Sequence, residues 1–197
     1  MMKVNLRKIE GNWDIGYALD KHMLYSNFLG HDEYGHPRFD NHRTEAGEAV
    51  YQLKYQSDWK QVETLADAVV EHIVPKFGPI GLVVPVPASM TRARQPVYEV
   101  ATAVAKRLKV NSFEGIVCKA AAANGAVALK NLGSKAEKVA ALEGRITIKD
   151  EITTEGCWNV LVVDDLFDSG ASMEAVCAAL RTYKKINKIY VATLTWK

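Results

Sequence analysis

An apolar run ends on two aspartates in VLVVDDLFDSGAS, Asp164 and Asp165, and a turn of small residues follows, Asp168, Ser169, Gly170, Ala171 and Ser172. Paired carboxylates accept hydrogen bonds from the vicinal hydroxyls of a sugar, and one of them can also hold Mg²⁺ directly or through water. A turn of glycine, alanine and serines lets the backbone approach a ligand closely. If it opens a helix, its unpaired N–H groups face the ligand with the positive end of the helix dipole. Ser169 and Ser172 add hydroxyl donors, which makes a phosphate cradle that needs no lysine. A strand, turn and helix cap would require only Asp168 or Ser169. The acidic pair followed by the small-residue turn asks for more than that.

The elements that must hold these residues follow from apolar periodicity. TEAGEAVYQLKYQ and DWKQVETLADAVVEHIV have helical spacing, with Thr44 and Asp58 as helix starts. GPIGLVVPVP reads as a buried strand, PVYEVATAVAKRL as a helix started by Pro96, FEGIVCK as a second strand and WNVLVVDD as a third. A short helix is expected from Ser134, a longer one in ASMEAVCAALRTYKK, and a final strand in KIYVATLTW. Strands alternating with helices predict an α/β fold, an open, mainly parallel twisted sheet with flanking helices. Ligands bind such sheets beyond the carboxyl ends of the strands, which puts the segments after Pro85, Lys119 and Asp165 on one rim. Residues 1–43 are largely irregular, rich in Gly, Asn, Asp and His, with one or two short strands in GNWDIGYALDKHMLYS and a loop in LGHDEYGHPRFDNH, and read as a small N-terminal extension ahead of an α/β domain at 44–197.

D-D-L-F-D-S-G-A-S after an apolar strand resembles the PRPP-binding motif of type I phosphoribosyltransferases, where PRPP is 5-phosphoribosyl 1-pyrophosphate. The resemblance implies that Asp164 and Asp165 bind the ribose hydroxyls and, via PRPP or water, Mg²⁺, and that Asp168 to Ser172 wrap the 5′-phosphate. It also implies a catalytic role for Asp164, Asp165 and Asp168. VVPVPASMTRARQPVYEVATAVAKRL is similar to the ComF branch of that family, although Gln95-Pro96-Val97 replaces the usual Gly-Phe-Asn after the arginine. By that likeness Ala88, Ser89, Arg92 and Arg94 contact pyrophosphate, for which arginine forks are suited. YQLKYQSDW resembles the branch's upstream Lys-Tyr segment and brings Lys54 toward the rim. The zinc-binding cysteines of that branch are absent. CKAAAANGAVALKNLGSKAEK occupies the place of the family's flexible hood, with Lys119, Lys130 and Lys135 as cations and Gly125 and Gly133 as mobile points.

The function implied is transfer of the phosphoribosyl group from PRPP to a small nitrogenous acceptor, with Mg²⁺ as cofactor and release of pyrophosphate. The alternative is a PRPP- or nucleotide-binding module without chemistry, an accessory to DNA uptake or regulation. The residues 1–43 then form an acceptor-recognition hood, where Trp13, Tyr17, Tyr25, Tyr34 and Phe39 either stack a planar base or pack on the core. His31, His36 and His42 with Asp32 and Glu33 could group around a metal, but their spacing suits a polar loop better. A homodimer is expected from relatives. Among 197 residues, 48% hydrophobic and 24% charged, a net charge of +2 does not call for nucleic acid, which only the ComF likeness raises. Three scattered cysteines and a start without an apolar run predict a cytoplasmic protein, and no stretch reaches the ~18 apolar residues of a membrane span.

Overall fold

Strands β1 (Arg7–Lys8) and β2 (Ile15–Lys21) precede a hairpin of β3 (Met23–His31) and β4 (Pro37–Arg43). Helices α1 (Glu45–Tyr55) and α2 (Gln61–Ala68) follow, then β5 (Leu82–Pro85), α3 (Pro96–Leu108), β6 (Asn111–Ser112) and β7 (Val117–Lys119). The chain ends with α4 (Lys135–Ala140), β8 (Ile146–Ile148), β9 (Trp158–Phe167), α5 (Ala171–Arg181) and β10 (Ile186–Trp196). This computed structural model describes residues 1–90, 92–121, 127 and 129–197, with Lys130 described by its backbone alone. No helix among the described residues is long and apolar enough to cross a membrane.

One six-stranded sheet runs in the order β1-β2-β10-β9-β5-β6 and is parallel except where β1 meets β2. Alternation along β9 supplies both faces of the core, as the period of a strand requires. Leu161 and Val163 pack with Val83, Ala192 and Leu194 against Leu53, Leu65, Val100 and Val104 of α1 to α3. Val160 and Val162 pack with Leu82, Val84 and Val191 against Met173, Val176 and Leu180 of α5. Burying each such side chain stabilises the fold by about 1.5–3 kcal/mol.

Thr44 caps α1 as expected, accepting from the Gly47 amide at 2.9 Å while its hydroxyl donates to the Lys21 carbonyl. Gly47 is obligatory there, because a Cβ would fall on the His22 carbonyl oxygen. After α2 the helix widens into a π turn at Val69–Ile73 and tightens into a 3₁₀ turn at Val74–Lys76. Pro75, with no N–H to donate, lies where the pitch changes.

Three expectations are corrected. The acidic pair does not lie at the exit of a strand: β9 runs on to Phe167, because β10 continues the ladder with Thr193 opposite Asp164, Thr195 opposite Leu166 and Trp196 opposite Phe167. FEGIVCK does not add a strand to the main sheet. Its β7 pairs antiparallel with β8 in a separate ribbon, and the place beside β5 is taken by the two-residue β6. Strands are found where expected in GNWDIGYALDKHMLYS, but LGHDEYGHPRFDNH is not only a loop, since β3 runs to His31 and β4 occupies Pro37–Arg43. β1 and β2 lie in the main sheet with Ala18 and Leu19 fully buried, while β3 and β4 form a hairpin of mostly exposed side chains.

Candidate functional site

β5 stops at Pro85, opposite Val163, but β9 continues four residues further. That step leaves the β5-facing edge of Asp164 to Phe167 without a strand neighbour and opens a cavity of about 440 Å³. Its walls are the last turn of α1 with Lys54, the segment after β5 with Ala88, Ser89 and Arg92, and the β9–α5 turn from Asp168 to Ser172. Asp164 and Asp165 line it as well. The structure therefore brings together most of the residues singled out from sequence.

The β9–α5 turn is held by Gly170, whose φ of +80° begins α5. Neither Asp168 nor Ser169 caps the helix by a bond to its third residue; the cap position belongs to Gly170, which carries no side chain. A Cβ at this position would sit 3.1 Å from the Phe167 ring and require the left-handed backbone. Phe167 is itself fixed edge-on against the buried Trp13, with ring centroids 6.1 Å apart. The amides of the first turn of α5 have no partners from their own helix, the Ala171 amide donating to Ser169 Oγ at 3.4 Å, and Gly170 to Met173 line the cavity.

Charges pair across the cavity. Lys54 Nζ lies 2.7 Å from Asp165 Oδ2, both side chains being largely buried, and Arg92 donates to the Lys54 carbonyl at 3.0 Å. Burial works to lower the pKa of Lys54, but the Asp165 carboxylate outweighs it and holds the ammonium above its ordinary value. Lys138 of α4 meets Asp168 Oδ2 at 2.7 Å, and this bond holds the Asp168 carboxyl below the usual range. Lys135, three residues earlier on α4, meets Glu174 Oε1 at 2.7 Å, in the first turn of α5. Lys119 Nζ donates to Ser89 Oγ at 3.0 Å, and burial lowers its pKa. Asp164 accepts the Asp165 amide at 2.8 Å. Burial, with the neighbouring Asp165 charge second, pushes its carboxyl up to about 8.

These pairings decide where a metal fits. By strand alternation Asp165 faces α1 with Val163, whereas Asp164 faces α5 with Val162. One carboxylate is already taken by Lys54 and the other is biased toward its neutral form. Among the described residues no three His, Cys, Asp or Glu side chains group so as to hold a metal ion. An ion bound directly to Asp165 would have to displace the Lys54 ammonium, whereas the Mg²⁺ expected through PRPP or water needs no such cluster of protein ligands. The hairpin histidines do not assemble a site: His36 pairs with Asp32 and His42 with Asp40.

Two further expectations change. Arg94 does not line the cavity; it makes a bidentate pair with Glu99 at 2.7 and 2.9 Å and lies 4.0 Å over the Trp59 ring. Trp13 is core and Tyr17 is packed near Phe77, so neither is free to stack a base, whereas Tyr25, Tyr34 and Phe39 are exposed on the hairpin. The Lys130 side chain and Gly125 lie outside the described residues. Lys138 was missed, although the capping box of Ser134 and Glu137 marked the helix that carries it.

No family model and no curated protein matches the chain. Solved structures do resemble it. Adenine phosphoribosyltransferase from Trypanosoma brucei, solved with AMP, pyrophosphate and ribose-5-phosphate, is 13% identical with a TM-score of 0.49, over 96% of this chain and 73% of that one. Adenine phosphoribosyltransferase from Thermoanaerobacter pseudethanolicus is 14% identical with a TM-score of 0.46, over 87% of this chain and 95% of that one. Glutamine PRPP amidotransferase from B. subtilis, solved with ADP and GMP, is 13% identical with a TM-score of 0.48, over 83% of this chain and 34% of that one.

Proposed function

We propose that the chain is a phosphoribosyltransferase that binds PRPP in this cavity and passes its phosphoribosyl group to a nitrogen acceptor. The observation that carries the reading is the step between β5 and β9. It exposes Asp164 and Asp165 on the same cavity as the Asp168–Ser172 turn and the residues Ser89 and Arg92. A sugar flanked by a phosphate on one side and a diphosphate on the other has the same three-part layout.

In this reading Asp164 and Asp165 accept the 2′- and 3′-hydroxyls, and the neutral form of Asp164 also has a proton to donate. The amides of Gly170, Ala171 and Ser172, with the Ser169 and Ser172 hydroxyls, receive the 5′-phosphate. Ala88, Ser89 and Arg92 receive the pyrophosphate, where a guanidinium matches a leaving group of several negative charges. As the acceptor's nitrogen lone pair forms the bond to ribose C1, the C1–O bond breaks and its electron pair leaves with pyrophosphate. Asp168, kept charged by Lys138, is a weak base; it orders the turn and Lys138. A divalent ion enters as part of the substrate, on the diphosphate oxygens. Catalysis then rests on positioning and on charge neutralisation around the leaving group.

The β3–β4 hairpin is the segment we assign to acceptor recognition. It leaves the carboxyl end of β2, on the rim that carries the site, and exposes Tyr25, Phe28, Tyr34 and Phe39. The test is calorimetry of PRPP with the purified chain, followed by pyrophosphate release across a panel of purine and pyrimidine bases and amines. Binding with acceptor-dependent release is expected. No PRPP binding would remove the proposal, and binding without release for any acceptor would leave a binding protein.

A further inference from the structure

Lys54 reaches Asp165 by a route that the fold builds with care. α1 starts at the carboxyl end of β2, where Thr44 and Gly47 lock it against Lys21 and His22, and ends over β9. Its last turn places Lys54 Nζ 2.7 Å from Asp165 Oδ2, with both side chains less than a quarter exposed. The same turn is tied to the segment after β5, because Arg92 donates to the Lys54 carbonyl. Lys54 also lines the cavity, so its remaining N–H groups are available to a ligand there. An ammonium is a compact point charge with three donors. It can hold a carboxylate and a phosphate oxygen at the same time, as a divalent cation bridging the two would.

We propose that Lys54 is the site's built-in counter-ion: it keeps Asp165 and binds the diphosphate of the ligand, occupying the position a carboxylate-bound divalent cation would otherwise take. The ligand class, a diphosphate ester, rests on the phosphoribosyl reading above; the exclusion of a resident cation rests on the Lys54–Asp165 pair alone. Two consequences follow. The ligand-free chain binds divalent cations weakly at Asp165, and removing the ammonium converts Asp165 into a metal ligand.

The experiment titrates Mn²⁺ alone into the full chain and follows its paramagnetic resonance signal, for wild type, Lys54→Met, Lys54→Gln and Lys54→Met with Asp165→Asn. Melting curves establish that each variant folds, and the glutamine variant carries the comparison if the methionine one does not. Both single variants are expected to bind Mn²⁺ at least about tenfold more tightly than wild type, and the double variant to lose the gain. Mn²⁺ should also raise the melting temperature of the single variants and not that of wild type. PRPP calorimetry is then run with Mg²⁺ and with EDTA. Wild type is expected to lose less than about tenfold in affinity in EDTA, and Lys54→Met to lose more. Equal Mn²⁺ affinity in wild type and both single variants would overturn the proposal. If wild type binds no PRPP in either buffer the phosphoribosyl reading fails, while the Mn²⁺ comparison still decides the role of Lys54.

Discussion

Asp164 sets its proposed ribose contact against stability. Its carboxyl is pushed up to about 8 by burial and by Asp165, well above the ordinary value near 4 that it has in an unfolded chain. A group raised on folding contributes fully below its unfolded pKa, and the contribution is lost as pH rises toward the folded one. Asp164→Asn should therefore melt higher than wild type at pH 8, the gap closing toward pH 4, while PRPP binding falls below detection in calorimetry. Asp168 has the opposite sign: lowered by Lys138, it contributes above about pH 4, and the contribution fades as pH drops. Gly170→Ala must bear a left-handed backbone, which costs about 1–2 kcal/mol, and must displace the Phe167 ring. Denaturant melts should show at least that loss, and calorimetry a weaker phosphate-ester affinity. The chemistry-bearing residue types were plain in the sequence, since acids, small residues and arginines in that order have few uses together. Their pairings were not, because Lys54 and Lys138 come from 111 and 30 residues away from their partners, as 165 minus 54 and 168 minus 138 give.

α1 and α4 are the elements that bring those lysines in. Replacing Thr44 by alanine removes the α1 cap and the bond to Lys21, and should lower stability by about 1 kcal/mol in denaturant melts. α4 sets one lysine on Asp168 and another on Glu174, carboxylates at either side of the β9–α5 turn. Lys138→Ala leaves Asp168 uncompensated beside an incoming phosphate, so PRPP affinity should fall several-fold and the loss should shrink as salt screens the charge. The helices were legible from caps and periodicity. β6 was not, because Asn111–Ser112 has neither length nor strand propensity, and its pairing with β5 displaced β7 from the sheet. The end of β9 was misplaced for a related reason: acidic residues suggest a terminus, but the ladder with β10 decides where a strand stops.

At the scale of the molecule, the site exists because two adjacent parallel strands differ in length. The layers that hold β5 and β9 in register are the two halves of the core, so damage to either should act at a distance. Leu161→Ala, in a fully buried position of the central strand, should lose about 2–5 kcal/mol and weaken binding only through unfolding, which matched urea melts with and without PRPP would separate. Open α/β architecture and the rim location could be read from the alternation of strands and helices. The β3–β4 hairpin could not, since its exposed aromatics carry no core periodicity. Excising it should leave β2 and PRPP binding in place and change which acceptors release pyrophosphate.

Arg94, which the family resemblance implied would contact pyrophosphate, lies across the face of Trp59 while gripping Glu99. That stack is an optical reporter already installed in the chain. A guanidinium lying on an indole alters its emission, and Arg92 and Gln95, on either side of Arg94 in the chain, line the cavity. Should ligand at Arg92 shift Arg94 on the ring, Trp59 fluorescence would change in step with ligand, a signal that Trp59→Phe would abolish. Ligand binding could then be timed by stopped flow on the unlabelled protein.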